Sequence, residues 1–167
     1  MSTTTNGIVN TQTKYQIGGS DVLTATALGS GITNSPVNLA VTGIDAVKTY
    51  ATADGTYSNG WKWLFHITIP DAENGLNMKF DNWSNGTSAI LSVNNMRFYS
   101  AQSSNGSNPD NAVLISQSGV YGSNTLNITS DLDATKTGKQ VDVIVEMSVP
   151  VGSTGGSYST SYGIKTQ

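Results

Sequence analysis

Apolar residues in this chain recur at every second position. Trp61, Trp63, Phe65, Ile67 and Ile69 alternate with Lys62, Leu64, His66 and Thr68. The run stops at Pro70, which has no N–H to give to a β-ladder. After a turn-forming stretch, 71–75, Leu76, Met78 and Phe80 alternate with Asn77, Lys79 and Asp81, so the two segments predict a β-hairpin. The C-terminal part repeats this layout. Val141, Val143, Val145, Met147 and Val149 alternate with Gln140, Asp142, Ile144, Glu146 and Ser148 and end at Pro150. A Gly/Ser turn over 151–156 then leads to Tyr158, Thr160, Tyr162 and Ile164, which predicts a second hairpin.

Shorter strands are expected at 37–42, 46–51, 89–93, 96–100, 112–116 and 125–129, separated by Gly, Asn, Ser and Asp turns. Residues 20–31 could open as a helix capped by Ser20, but Thr24 and Thr26 favour a strand. Residues 52–60 and 102–111 read as long loops. Strands of four to nine residues at this spacing predict an all-β fold, a two-sheet antiparallel β-sandwich or jelly roll. Residues 1–35 are more polar and less periodic than the rest. They are expected to form an N-terminal extension to a single β-sandwich domain over 36–167.

Composition narrows the class further. Ser, Thr, Gly and Asn fill 76 of the 167 positions, and only 11% are charged. Two Glu, seven Lys and one Arg cannot furnish the exposed faces of a helical protein. With a net charge of −3 and a single Arg97, the chain lacks the basic surface that phosphate neutralisation demands, so nucleic acid is excluded as a partner. No apolar run approaches the ~20 residues a membrane-spanning helix needs, and membrane insertion is not expected. The absence of cysteine removes disulfides, thiolate nucleophiles and Cys-ligated metals together. This polar, low-charge composition points to an extracellular or cell-surface location. Met1-Ser2-Thr3 does not open a leader of the basic-then-apolar type, so this location takes a signal peptide to have been removed. Sequons at Asn82, Asn85, Asn105 and Asn127 are expected by chance in a chain so rich in Asn, Ser and Thr.

Catalytic arrangements are sparse. His66, the one histidine, lies mid-strand on the face opposite its strand's aromatics, the place of a half-exposed sheet residue. No nucleophile elbow, Walker loop or dinucleotide fingerprint occurs. Glu146 and Asp142 share a strand face but stand ~13 Å apart by the strand rise, too far for a retaining glycosidase pair. The chain is therefore expected not to be an enzyme and to carry no cofactor. Calcium is the one candidate metal, because acids, amides and carbonyls suffice to bind it, and Asp131 with Asp133 is its best place. Trp61 and Trp63 are expected in the core. Trp83, between Asn82 and Ser84, is expected to be exposed and is the candidate for stacking on a sugar ring, with Asn59 and Asn82 near the aromatics.

The segment 8–17, Ile-Val-Asn-Thr-Gln-Thr-Lys-Tyr-Gln-Ile, is extended and Thr-rich. Such a segment can complete a neighbour's sheet by strand addition, which makes Ile8, Val9, Tyr15 and Ile17 candidate subunit contacts. Residues 145–166 contain Ser-Val-Pro-Val-Gly followed by Gly-Gly-Ser-Tyr-Ser-Thr-Ser-Tyr-Gly-Ile. That stretch resembles the closing hairpin of exported bacterial cell-surface β-sandwich proteins, and the overall layout resembles subunits of filaments or surface layers built by donor-strand exchange. The resemblance implies a non-enzymatic structural subunit whose partners are copies of itself. A carbohydrate-binding or adhesive module and a virion structural protein are the alternatives.

Overall fold

The computed structural model describes residues 14–17, 20–24, 39–70, 73–103, 109, 111–129 and 139–167. It is all-β. No helix occurs among the described residues, and hence none long and apolar enough to cross a membrane. Contacts divide the chain into two units, Met1–Pro36 and Val37–Gln167.

In the first unit, β1 (Lys14–Ile17) pairs antiparallel with β2 (Ser20–Thr24), Tyr15 opposite Leu23 and Ile17 opposite Ser20. The strand at 14–17 therefore has a local partner in the segment where Thr24 argued for strand.

The second unit holds the remaining elements: β3 (Ala40–Lys48), β4 (Trp61–Ile69), β5 (Gly75–Phe80), β6 (Trp83–Ser84), β7 (Ala89–Ile90), β8 (Met96–Ser100), β9 (Val113–Leu114), β10 (Leu126–Asn127), β11 (Lys139–Met147) and β12 (Tyr162–Thr166). They form an antiparallel five-stranded sheet in the order β3-β4-β11-β8-β9, a three-stranded sheet β10-β5-β12, and the short pair β6-β7. None of these sheets closes on itself, so β3 and β12 are edge strands. Of the strands expected at 37–42 and 46–51, residues 40–48 form one strand, β3, whose register shifts between Val41 and Gly43 and between Ala46 and Lys48, and residues 37 and 38 lie outside the described residues.

Neither expected hairpin forms. β4 pairs with β3 and β11, whereas β5 pairs with β10 and β12. β11 pairs with β4 and β8, and β12 joins β5. In both cases the chain leaves one sheet and enters another. The reason is burial: a hairpin would lay two apolar faces side by side and leave both needing cover, while separate sheets can turn those faces to a common core. Phe65, Ile67 and Ile69 of β4, Val143 and Val145 of β11 and Leu76, Met78 and Phe80 of β5 do belong to one buried cluster. Each such side chain taken from water contributes about 1.5–3 kcal/mol.

One close approach fixes the end of the 52–60 loop. A Cβ at Gly60 would lie 1.8 Å from the Met147 carbonyl oxygen, so only glycine lets this loop enter β4 against the end of β11. The loop is also tied by Thr52 N–H donating to Asn59 O at 2.8 Å and Gly55 N–H donating to Val149 O at 2.9 Å.

Candidate functional site

Along the inward face of β4, Phe65, Ile67 and Ile69 are buried, but Trp61 and Trp63 are only half-buried. Their surroundings differ because β6 and the segment before β12 meet them. Ser84 of β6 forms a β-bridge with Ser159, which brings Trp83 and Tyr158 to the same place. Trp63 and Trp83 stack with ring centroids 5.0 Å apart and planes 16° from parallel. Trp61 lies 5.3 Å from Trp83 and 5.9 Å from Tyr158. The cluster forms one side of an open groove of about 680 Å³, whose other parts come from residues 153–160 and the turn at 49–53. Tyr50 stands at this groove 76% exposed, with the Lys48 ammonium 5.4 Å from its ring centre.

Trp83 is not exposed as expected. It is 8% accessible, stacked on Trp63, and its indole N–H donates to Met96 Sδ at 3.1 Å. Polar neighbours in sequence did not keep it at the surface, because β6 pairs with β7 and turns the ring inward. The expected sugar-bonding amides are engaged elsewhere. Asn59 Nδ2 donates to Asp54 at 2.7 Å, and Asn82 Oδ1 accepts from Ser92 N–H at 3.1 Å. Tyr57, also aromatic and near in sequence, instead covers the Arg97 guanidinium at 4.0 Å.

Beside the groove a smaller recess of about 150 Å³ opens between the two edge strands, lined by Ile44 of β3, Tyr162 of β12, and Phe65 and Phe80 beneath them. Tyr162 meets Phe65 edge-on at 5.2 Å. Ile44 and Tyr162 are each 42% exposed, large apolar side chains at the mouth of an unsealed core.

The opposite face of the five-stranded sheet carries its charges in rows set by register. Glu146 is directly opposite Lys62 on one side and Arg97 on the other. The Glu146 carboxylate accepts from Lys62 at 2.9 Å, from Arg97 and from the Tyr99 hydroxyl at 2.9 Å, all but Lys62 being buried. Burial, followed by the hydrogen bond to Glu146, drives the Tyr99 phenol far above its ordinary range. Burial also raises Tyr57, against the pull of Arg97. Glu146 stands on this polar face yet is only 3% exposed, because three donors replace its water.

Further along the same face, His66 Nδ1 lies 2.7 Å from Asp142 Oδ1 and Nε2 lies 3.1 Å from Asp45 Oδ2. Asp142 is its register partner on β11, and Asp45 reaches it from β3. Hydrogen bonds to Asp45 and then Asp142 raise its pKa above the ordinary histidine value, since both ring nitrogens can donate to carboxylates only as imidazolium. With both ring nitrogens taken by carboxylates, the ring offers no free position to a hydroxyl nucleophile.

Among the described residues no group of three or more His, Asp or Glu is arranged to hold a metal. Asp54, at the 52–60 loop, is ligated by its own loop: Asn59 Nδ2, the Thr56 hydroxyl and Thr56 N–H all donate to it and lower its pKa. Asp131 and Asp133 lie outside the described residues, as do Ile8 and Val9, whereas Tyr15 and Ile17 lie in β1. Sequence reasoning missed Tyr50, Tyr158 and Tyr162. The alternation of Tyr158 and Tyr162 within their strand was legible, but not that this strand would return beside β4 and β5.

Compared with protein-family models, with curated proteins and with solved structures, the chain matches none.

Proposed function

We propose that this chain is a non-enzymatic structural subunit of an extracellular filament or surface assembly, its copies joined by β-strand addition. In this reading the two larger sheets are the halves of an open β-sandwich, and the gap between β3 and β12 receives a strand from another copy. The observation that carries it is the nine-residue edge strand β3 lying beside an unsealed apolar recess, with Ile44 and Tyr162 both exposed at its mouth. Edges of this kind pair with other chains unless proline or charge blocks them. β3 contains no proline and only two charged residues, Asp45 and Lys48.

The donor in this reading is the N-terminal segment with Ile8, Val9, Tyr15 and Ile17. Val9, Thr11, Thr13, Tyr15 and Ile17 fall on one face of an extended strand, apolar or β-branched throughout. A two-stranded hairpin such as β1-β2 is marginal by itself, and adding it to a sheet edge would supply the missing strands. The non-enzymatic part rests on how the titratable groups are used: Glu146 is held by Arg97, Lys62 and Tyr99, and His66 by two aspartates. The extracellular setting rests on the cysteine-free, Ser/Thr/Gly/Asn-rich composition.

Negative-stain electron microscopy with size exclusion tests the proposal. The intact chain should form regular polymers. Deletion of residues 1–17, and separately Ile44→Lys, should each give a folded monomer that does not polymerise. Polymers that persist in both variants, or an intact chain that stays monomeric at high concentration, would overturn strand addition.

A further inference from the structure

The larger groove lies outside the strand-addition reading, and its lining has a distinct chemistry. None of the residues lining it is charged, the Lys48 ammonium lying over Tyr50 at its rim. Trp61 and Trp63 contribute half-buried indoles and Tyr50 an exposed ring, so apolar flat surface is available without unfolding the core. Facing them, residues 153–160 contribute hydroxyls. Ser153 and Thr160 donate to the backbone oxygens of Pro150 and Asp81, both at 2.7 Å, and keep lone pairs free to accept. The hydroxyls of Thr154, Ser157 and Ser159 have no partner among the described residues.

Aromatic surface opposite free hydroxyls selects a ligand with an apolar face and a polar edge. The uncharged lining favours a neutral ligand over ions, whose desolvation it could not compensate. A pyranose ring has this character, its C–H face fitting an aromatic ring and its hydroxyls both donating and accepting. At about 680 Å³ the groove falls within the roughly 300–1,000 Å³ of small-molecule sites. The geometry points to a binding site for a neutral oligosaccharide, with Trp61, Trp63 and Tyr50 as stacking surfaces and residues 154–159 as the hydroxyl-bonding side.

Isothermal titration of the intact chain with cellohexaose, maltohexaose and chitohexaose, and with hexagalacturonate as the charged counterpart, tests this. At least one neutral hexasaccharide should bind and perturb tryptophan emission, and hexagalacturonate should bind none or more weakly. Gly155→Trp should block the groove, because a Cβ at Gly155 meets nothing within 4 Å and the added ring is free of the core. Gly155→Trp and Tyr50→Ala should each weaken binding about tenfold or more with unchanged thermal unfolding. Failure of all three neutral hexasaccharides to bind, stronger binding of hexagalacturonate, or neutral binding unaltered by Gly155→Trp would overturn the site. Polymer formation by Gly155→Trp reads strand addition separately, so each proposal can fail without the other.

Discussion

Arg97 holds a single carboxylate oxygen of Glu146 through two nitrogens, Nε at 2.9 Å and a terminal nitrogen at 2.7 Å, with both side chains buried. Removing the carboxylate takes from the buried Arg97 its opposite charge. Glu146→Ala should cost about 3–5 kcal/mol, and the double replacement Arg97→Met with Glu146→Leu should recover most of that loss. Urea unfolding midpoints measure both. If Glu146→Ala proved near neutral, this ion pair would not be what orders that face of the sheet.

His66 makes stability depend on pH. Its folded pKa is raised above 6.5, so its contribution is fully present below the unfolded value and is lost as pH rises through the folded one. The unfolding free energy from urea titration should therefore fall between neutral and alkaline pH, by less than ~1 kcal/mol because the ring is 36% exposed and both carboxylates more so. His66→Gln should flatten that slope, and salt should weaken it in the parent chain. A midpoint that instead climbs with pH over this window contradicts the assignment.

Gly60→Ala should be among the most damaging small substitutions in the chain. The added methyl meets the backbone oxygen of Met147 at 1.8 Å, and neither main chain can yield without breaking the loop's entry into β4. A loss above ~3 kcal/mol in thermal or urea unfolding is expected. Gly155→Ala, with open space around its Cβ, should change nothing measurable.

Trp83→Ala should destabilise the domain by about 3–5 kcal/mol, as removal of a buried ring does. Trp83→Phe should cost less, losing chiefly the N–H donated to Met96 Sδ and part of the stack on Trp63. Differential scanning calorimetry orders the two. Wild-type stability in Trp83→Ala would return this residue to the surface.

What the sequence disclosed follows from what local pattern can encode. The alternation through Phe65, Ile67 and Ile69 specified strands and inward faces, and Pro70 and Pro150 marked where two of them end. The same pattern is silent on partners. A strand fit for a hairpin is equally fit for a second sheet, and only the competition for burial among all strands sends Met78 to Ile164 rather than to Ile67. Trp83 was misread for a similar reason. Asn82 and Ser84 are polar, yet a two-residue strand of Trp83 and Ser84 suffices to turn the indole inward. The groove was half legible: Trp61 and Trp63 stood out, while Tyr158 reaches them only through the Ser84–Ser159 bridge.

The exchange of strands between sheets sets a timetable as well as a shape. Ile67 has Val41 of β3 beside it early, but Val141 on its other side and Ile164 beside Met78 come much later in the chain. Beyond the pairings of neighbouring strands, the core is joined by β11 and β12 to strands far earlier in the chain, so closure of long loops should make folding slow for the chain's size. During synthesis β3 and β4 can pair early, but the three-stranded sheet stays incomplete, with Met78 lacking its neighbour, until β12 is made.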